Sequence, residues 1–142
     1  MVDLHTILAD HKSKYHKEGR PGEAENIPAN TTTLSEIPDL FFDEILVAFK
    51  LNRIEIMVLM YLYRRVWCRP NLYRLHGISQ LLSHTEMSKA LNLSLDEIYH
   101  ALRKLEEFAF ITTVRSGQYF VRRFFTKEND ELLGQNYDDF EI

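Results

Sequence analysis

Residues 83–108 read SHTEMSKALNLSLDEIYHALRKLEEF, and this stretch decides the fold. Two helix starts lie within it. Ser83 is followed three positions later by Glu86, and Ser94 by Glu97. Each pair is the signature of a capping box, in which an N-cap oxygen and a glutamate satisfy each other's exposed N–H groups. Each is bracketed by an apolar pair that staples the first turn, Leu82 with Met87 and Leu93 with Ile98. The pattern predicts one helix over 84–91 and a second over 95–108, with only Asn92-Leu93-Ser94 between them. Asparagine tolerates the left-handed conformation that so tight a turn needs. Small Ser88 lets the helices approach, and Leu91, Leu95, Ile98, Ala101, Leu102 and Leu105 make one apolar face. This is the spacing of a helix-turn-helix.

The flanks extend the pattern. Downstream, residues 110–125 read FITTVRSGQYFVRRFF, two β-branched and aromatic runs around Ser116-Gly117, which predicts a hairpin with a tight turn. Upstream, Asn52 and Glu55 form a third capping box, stapled by Leu51 and Ile56, and open a helix to about Trp67. That helix is apolar nearly all round, so it is read as central and buried. Arg64 and Arg65 sit in its last turn, where cations suit the negative end of the helix dipole. Pro38 and Asp39 open a shorter helix to about Phe49. Beyond Pro70, a connector over 71–77 leads to Ile78-Ser79-Gln80-Leu81-Leu82, which reads as a short strand. The order helix, helix, strand, helix, helix, hairpin predicts a mainly α fold with a small β-hairpin, a winged helix-turn-helix with the hairpin as its wing.

The chain has 142 residues, which suits one domain with tails. Residues 1–36 hold few core-forming side chains and are read as a tail, largely disordered or draped on the surface; 37–125 form the domain; 126–142 form a second, acidic tail. Both tails are expected to be flexible. The net charge of −4 is unevenly placed: −2 over 1–36, +3 over 37–125 and −5 over 126–142. Acidity overall argues against nucleic acid, yet the domain itself is mildly basic. A single cysteine, Cys68, excludes an internal disulfide and a multi-cysteine zinc site. Together with the lack of a basic, then apolar, N-terminal signal, it implies a cytoplasmic protein. The longest apolar run, 56–63, is too short for a membrane span.

The segments IPDLFFDEILVAFKLNRIEIMVLMYLYRRVW (37–67) and LLSHTEMSKALNLSLDEIYHALRKLEEFAFI (81–111) resemble the winged-helix domain of phage replication initiators and replisome organisers. Ile37-Pro38 and Phe42-Asp43 match the opening of that family, Tyr61-Leu62-Tyr63-Arg64-Arg65 its arginine pair, and Ala101 to Glu106 its closing helix. Winged-helix transcription regulators share that last element. Where the family carries glycine before its final Leu-Ile, this chain carries Ala109. The resemblance implies DNA binding in transcription or replication initiation.

A recognition helix reads bases from its exposed face. Here that face would present Asp96, Glu97, Tyr99, His100, Arg103 and Lys104, with Ser94 at its cap. Arg103 suits a guanine or a phosphate and Lys104 a phosphate, while Tyr99 and His100 can donate or stack. The plain alternative is that Arg103 and Lys104 pair with neighbouring acids. In the hairpin, Arg115, Gln118, Arg122 and Arg123 are candidate backbone contacts, or charges that guard an edge strand. Strand alternation would put Arg122 and Arg123 on opposite faces. Arg64, Arg65, Arg69 and Arg74, with Trp67 and Tyr73 among them, form the densest basic and aromatic cluster. It reads either as structural or as a site for a partner or a phosphate-bearing nucleotide.

The six histidines show no metal spacing. No catalytic motif appears, so no enzyme activity, metal or cofactor is expected. The expected partner is double-stranded DNA, bound as a homodimer because one such module buries little surface. The alternative is a winged helix turned protein-interaction or nucleotide-binding module, a ligand-gated regulator if both readings hold. The acidic C-terminal tail would then recruit a protein partner or shield the basic domain.

Overall fold

The structure is a computed structural model that describes residues 32–137. The folded unit starts at Ser35. Expectations for residues 1–31 and 138–142 lie outside the described residues, and 32–36 carry neither helix nor strand.

A π-helical turn, Phe41–Ile45, passes directly into a short helix, α1 (Leu46–Phe49). It ends at Lys50, whose φ of 51° is the left-handed geometry that turns a chain out of a helix. Helix α2 (Arg53–Tyr63) then starts at the expected capping box. Asn52 Oδ1 accepts from the Glu55 N–H at 2.8 Å, and Glu55 Oε1 accepts from the Asn52 N–H at 3.0 Å. A second π-helical turn, Arg64–Cys68, continues it. Together they bury Val58, Leu59, Leu62, Tyr63, Val66 and Trp67, so this element is the centre of the core.

Helix α3 (His84–Leu91) and helix α4 (Leu95–Glu107) follow with three residues between them. Asn92 takes the left-handed conformation (φ 55°), and Ser88 Oγ donates to the Leu93 carbonyl at 2.5 Å across the turn. The Ser94–Glu97 box closes in both directions, at 3.1 and 3.0 Å, while Ser83 accepts from the Glu86 N–H at 3.2 Å. Helix α4 packs on α2, α3 and the hairpin through Ile98, Ala101, Leu102 and Leu105. Leu95, expected inside, is exposed; the apolar stripe starts one turn later.

Helix α4 closes in a Schellman motif: the Phe110 N–H donates to Leu105 O at 3.1 Å and the Ala109 N–H to Glu106 O at 2.9 Å. This puts Ala109 at φ 63°, where glycine is usual.

The hairpin is β1 (Ile111–Arg115) paired antiparallel with β2 (Gln118–Val121), with the register Ile111 to Val121 and an irregularity at Val114. Gly117 in its turn has φ 84°, and a Cβ there would lie 2.6 Å from the Leu82 carbonyl oxygen.

The strand expected over 78–82 is only partly made. Ile78 bridges Phe120, Ser79 N donates to Tyr119 O at 2.9 Å, and Leu82 N donates to Gly117 O at 2.7 Å. Side chains interrupt a regular ladder. Ser79 Oγ accepts the Tyr119 N–H at 3.1 Å, and Gln118 Nε2 takes the Ser79 carbonyl at 2.9 Å.

Regular structure continues beyond the boundary expected after Phe125. Strand β2 stops at Val121, so Arg122 and Arg123 do not alternate across a strand. Thr126 caps a further helix, α5 (Lys127–Leu132), and Asp130 within it is 2% exposed. Its carboxylate accepts from Phe124 N (3.0 Å), Arg122 Nη1 (3.1 Å) and the Tyr137 hydroxyl (2.6 Å). Tyr137 meets Phe120 edge-on at 4.8 Å. Composition marks 126–137 as acidic and therefore solvated; most of it is exposed, and buried Asp130 with its partners ties it to the domain. Among the described residues no helix is long and apolar enough to cross a membrane.

Candidate functional site

Helix α4 buries one stripe and exposes Asp96, Tyr99, His100, Arg103 and Glu107 along the other side. Lys104 reaches Glu107 at 3.4 Å and lies 5.2 Å from the Phe108 ring centre. Ser94 keeps its hydroxyl on the Glu97 N–H. Tyr99 is edge-on to His84 at 5.2 Å, and His84 Nε2 lies 2.5 Å from the Tyr119 hydroxyl. A chain of one ring contact and one hydrogen bond thus ties α4, α3 and β2 together under this face. Burial pushes the Tyr119 hydroxyl up to about 12, so it stays protonated and stays in that chain through neutral pH. Nothing local in the sequence marks His84, because its partners come from two other elements. Glu106 on α4 accepts from the Thr113 hydroxyl and fixes the helix to β1.

The hairpin residues divide. Arg115 remains at the surface, with Nε donating to Gln118 Oε1 at 3.0 Å. Gln118 is buried and held on Ser79, so it faces inward. Arg122 is directed to Asp130 and to the Ala109 carbonyl at 3.2 Å. Arg123 lies over Trp67, 5.6 Å from the ring, with Nη1 3.3 Å from Gln135 Oε1. Of the nine candidate DNA contacts, Tyr99, His100, Arg103 and Arg115 are exposed and uncommitted to an ion pair. Ser94 and Lys104 are exposed with local partners, Gln118 and Arg122 serve the fold, and Arg123 is exposed without an ion pair beside Trp67.

Between the first turns of α2 and α4 runs a groove of about 590 Å³. Ile54 and Ala101 line it with Glu55, Asp96, Glu97, His100 and Lys104. Glu55 and Glu97 each hold a capping box, so the lip of the groove is acidic for a structural reason.

The basic and aromatic cluster also divides. Trp67 is buried and donates from Nε1 to Val121 O at 3.1 Å. Arg65 turns back to the Tyr61 hydroxyl at 3.2 Å, and Arg69 Nη1 donates to Cys68 O at 2.8 Å. Tyr73 and Arg74 are exposed. Arg74 meets Arg123 across a cleft of about 180 Å³ walled by Tyr63, Trp67 and Phe124. Burial raises the Cys68 thiol against the opposing charges of Arg69, Arg74 and Arg64, so it is held as a thiol. Its Sγ donates to the Glu36 carbonyl at 3.3 Å. No group of three or more metal-ligating side chains occurs among the described residues. Comparison with family models, curated proteins and solved structures finds no match to this chain.

Proposed function

We propose that the chain is a winged-helix DNA-binding module, a small cytoplasmic regulator of transcription or replication initiation that works by binding rather than catalysis. One observation carries the reading. A short first helix, a three-residue turn and a second helix lead directly into a hairpin, and the second helix exposes Tyr99, His100 and Arg103 in successive turns. In this reading α4 enters the major groove. Arg103 takes guanine or phosphate, Tyr99 and His100 take phosphate or stack, and Arg115 meets the flanking backbone. Two copies on two half-sites give the surface that a specific site needs.

Titration of duplex DNA by fluorescence anisotropy at increasing salt tests it. With Arg103 and Arg115 as the phosphate-neutralising cations, the slope of log K against log salt is about −2 per copy. No binding at about 50 mM salt would refute the reading.

A second reading, a protein-interaction module on the same fold, is favoured by the charge of α4. It carries four carboxylates (Asp96, Glu97, Glu106, Glu107) against two cations (Arg103, Lys104). The acidic groove beside it suits a basic, partly apolar peptide.

A further inference from the structure

Arg122 and Arg123 are adjacent, yet their charges meet opposite fates. Arg122 is neutralised by buried Asp130. Arg123 has no carboxylate within ion-pair distance among the described residues, whose ion pairs are Lys104–Glu107 and Arg122–Asp130. Its guanidinium is nevertheless held in place. It lies over Trp67 at 5.6 Å and Phe124 at 5.5 Å, one nitrogen is 3.3 Å from Gln135 Oε1, and its own backbone N–H is fixed by the Tyr137 hydroxyl at 2.9 Å. Across the cleft, Arg74 is in no ion pair among the described residues. Glu36 also lines the cleft and pairs with neither arginine. The polar groups of the aromatic walls are already satisfied: the Tyr63 hydroxyl donates to Arg123 O at 2.8 Å and Trp67 Nε1 to Val121 O. What remains open in the cleft is therefore two guanidinium groups and the Glu36 carboxylate, a net positive charge. Arg64 adds charge nearby, since Arg64 and Arg74 both act on Cys68.

We infer that the cleft between Arg74 and Arg123 binds the phosphate of a small phosphomonoester. Two guanidinium forks match a phosphate bidentately, and a phosphomonoester carries about −1.5 to −2 near neutral pH. Holding Arg123 on aromatic faces lowers the ordering cost of binding. The cleft volume of about 180 Å³ sets the scale. Sites that enclose a whole drug-sized ligand run to about 300–1,000 Å³, so this one takes the phosphate and leaves the rest of the molecule at the rim. The inference stands apart from the DNA reading, because the cleft shares no residue with the exposed face of α4.

The test uses the full chain and the emission of Trp67, the single tryptophan, which forms one wall. The probes are inorganic phosphate and adenosine 5′-monophosphate, against adenosine and against sodium chloride at matched ionic strength. A saturable change with a phosphate-bearing probe, absent with adenosine and chloride, is expected. Arg74→Ala, at an exposed position, lowers affinity at least about tenfold. Arg123→Lys, which keeps the charge and loses the fork, also weakens it. Lys89→Ala, an exposed cation on α3, leaves it unchanged. A response to adenosine 5′-monophosphate alone supports the site and shows that the ester body contributes, whereas a response to inorganic phosphate alone counts against a phosphomonoester. No response to either probe, an equal response to adenosine, or a response that survives Arg74→Ala overturns the inference.

Discussion

Replacing Asp130 by alanine tests whether residues 126–137 are part of the domain. The substitution removes the acceptor of three donors at once: the Phe124 N–H, Arg122 Nη1 and the Tyr137 hydroxyl. The Asp130 side chain is 4% exposed and that of Arg122 21%. Breaking one partner of a buried ion pair costs about 3–5 kcal/mol, because the other charge is left without compensation. Arg122 retains some access to water and rehydrates in part, which places the loss near the lower end, about 3 kcal/mol. Against a typical stability of about 5–15 kcal/mol, that is a large fraction. Urea unfolding followed by Trp67 emission measures it, since Trp67 lies 6.2 Å from the Tyr137 ring and reports on the same junction. Glu131→Ala, at an exposed position of the same helix, is the control and changes stability by less than about 0.5 kcal/mol. In a double-mutant cycle, Arg122→Ala and Asp130→Ala couple by about 1–3 kcal/mol. A loss for Asp130→Ala as small as the control's would refute the reasoning and return the segment to a solvated tail.

Ala109→Gly raises stability by about 1 kcal/mol, because φ 63° strains an L-residue and suits glycine; a lower urea midpoint would contradict this. Stability falls in alkali. The Tyr119 hydroxyl is raised from 10.0 to about 12 by burial, so its contribution is complete below pH 10 and is lost as pH rises through 12. Burial raises Tyr63 and Tyr137 in the same direction. Tyr119→Phe flattens this loss, as read from melting temperature between pH 9 and about 12. On DNA, Arg103→Ala costs about 1–3 kcal/mol if it contacts a base, whereas Arg115→Ala weakens all sequences alike and lowers the salt slope by about 1. Anisotropy with several duplexes separates the two, and unchanged affinity for both variants refutes the proposed interface.

The helix boundaries were legible because capping is local. Asn52 finds Glu55 and Ser94 finds Glu97 three residues away, so the residues that start a helix also satisfy its first N–H groups. The hairpin was legible for a similar reason: its turn and both flanks are contiguous. The irregular pairing over 78–82 was not, because Ser79 is met by Gln118 and Tyr119 from about 40 residues further on. The candidate site was legible only in part. Periodicity placed Tyr99, His100 and Arg103 on the outer side of α4, where they lie. It could not show that Gln118 turns inward.

By itself, then, the sequence determined where α2, α3 and α4 start, that a hairpin follows them, and that the chain is mostly helical. Only the tertiary structure decided what each charge does. Asp130 draws Arg122 into an ion pair, Trp67 holds Arg123 as an open cation from 56 positions away, and Arg74 meets Arg123 across a cleft. The physical reason is range. Capping and periodicity act within a few residues along the chain, whereas the fate of a charge depends on which group lies within about 4 Å after folding.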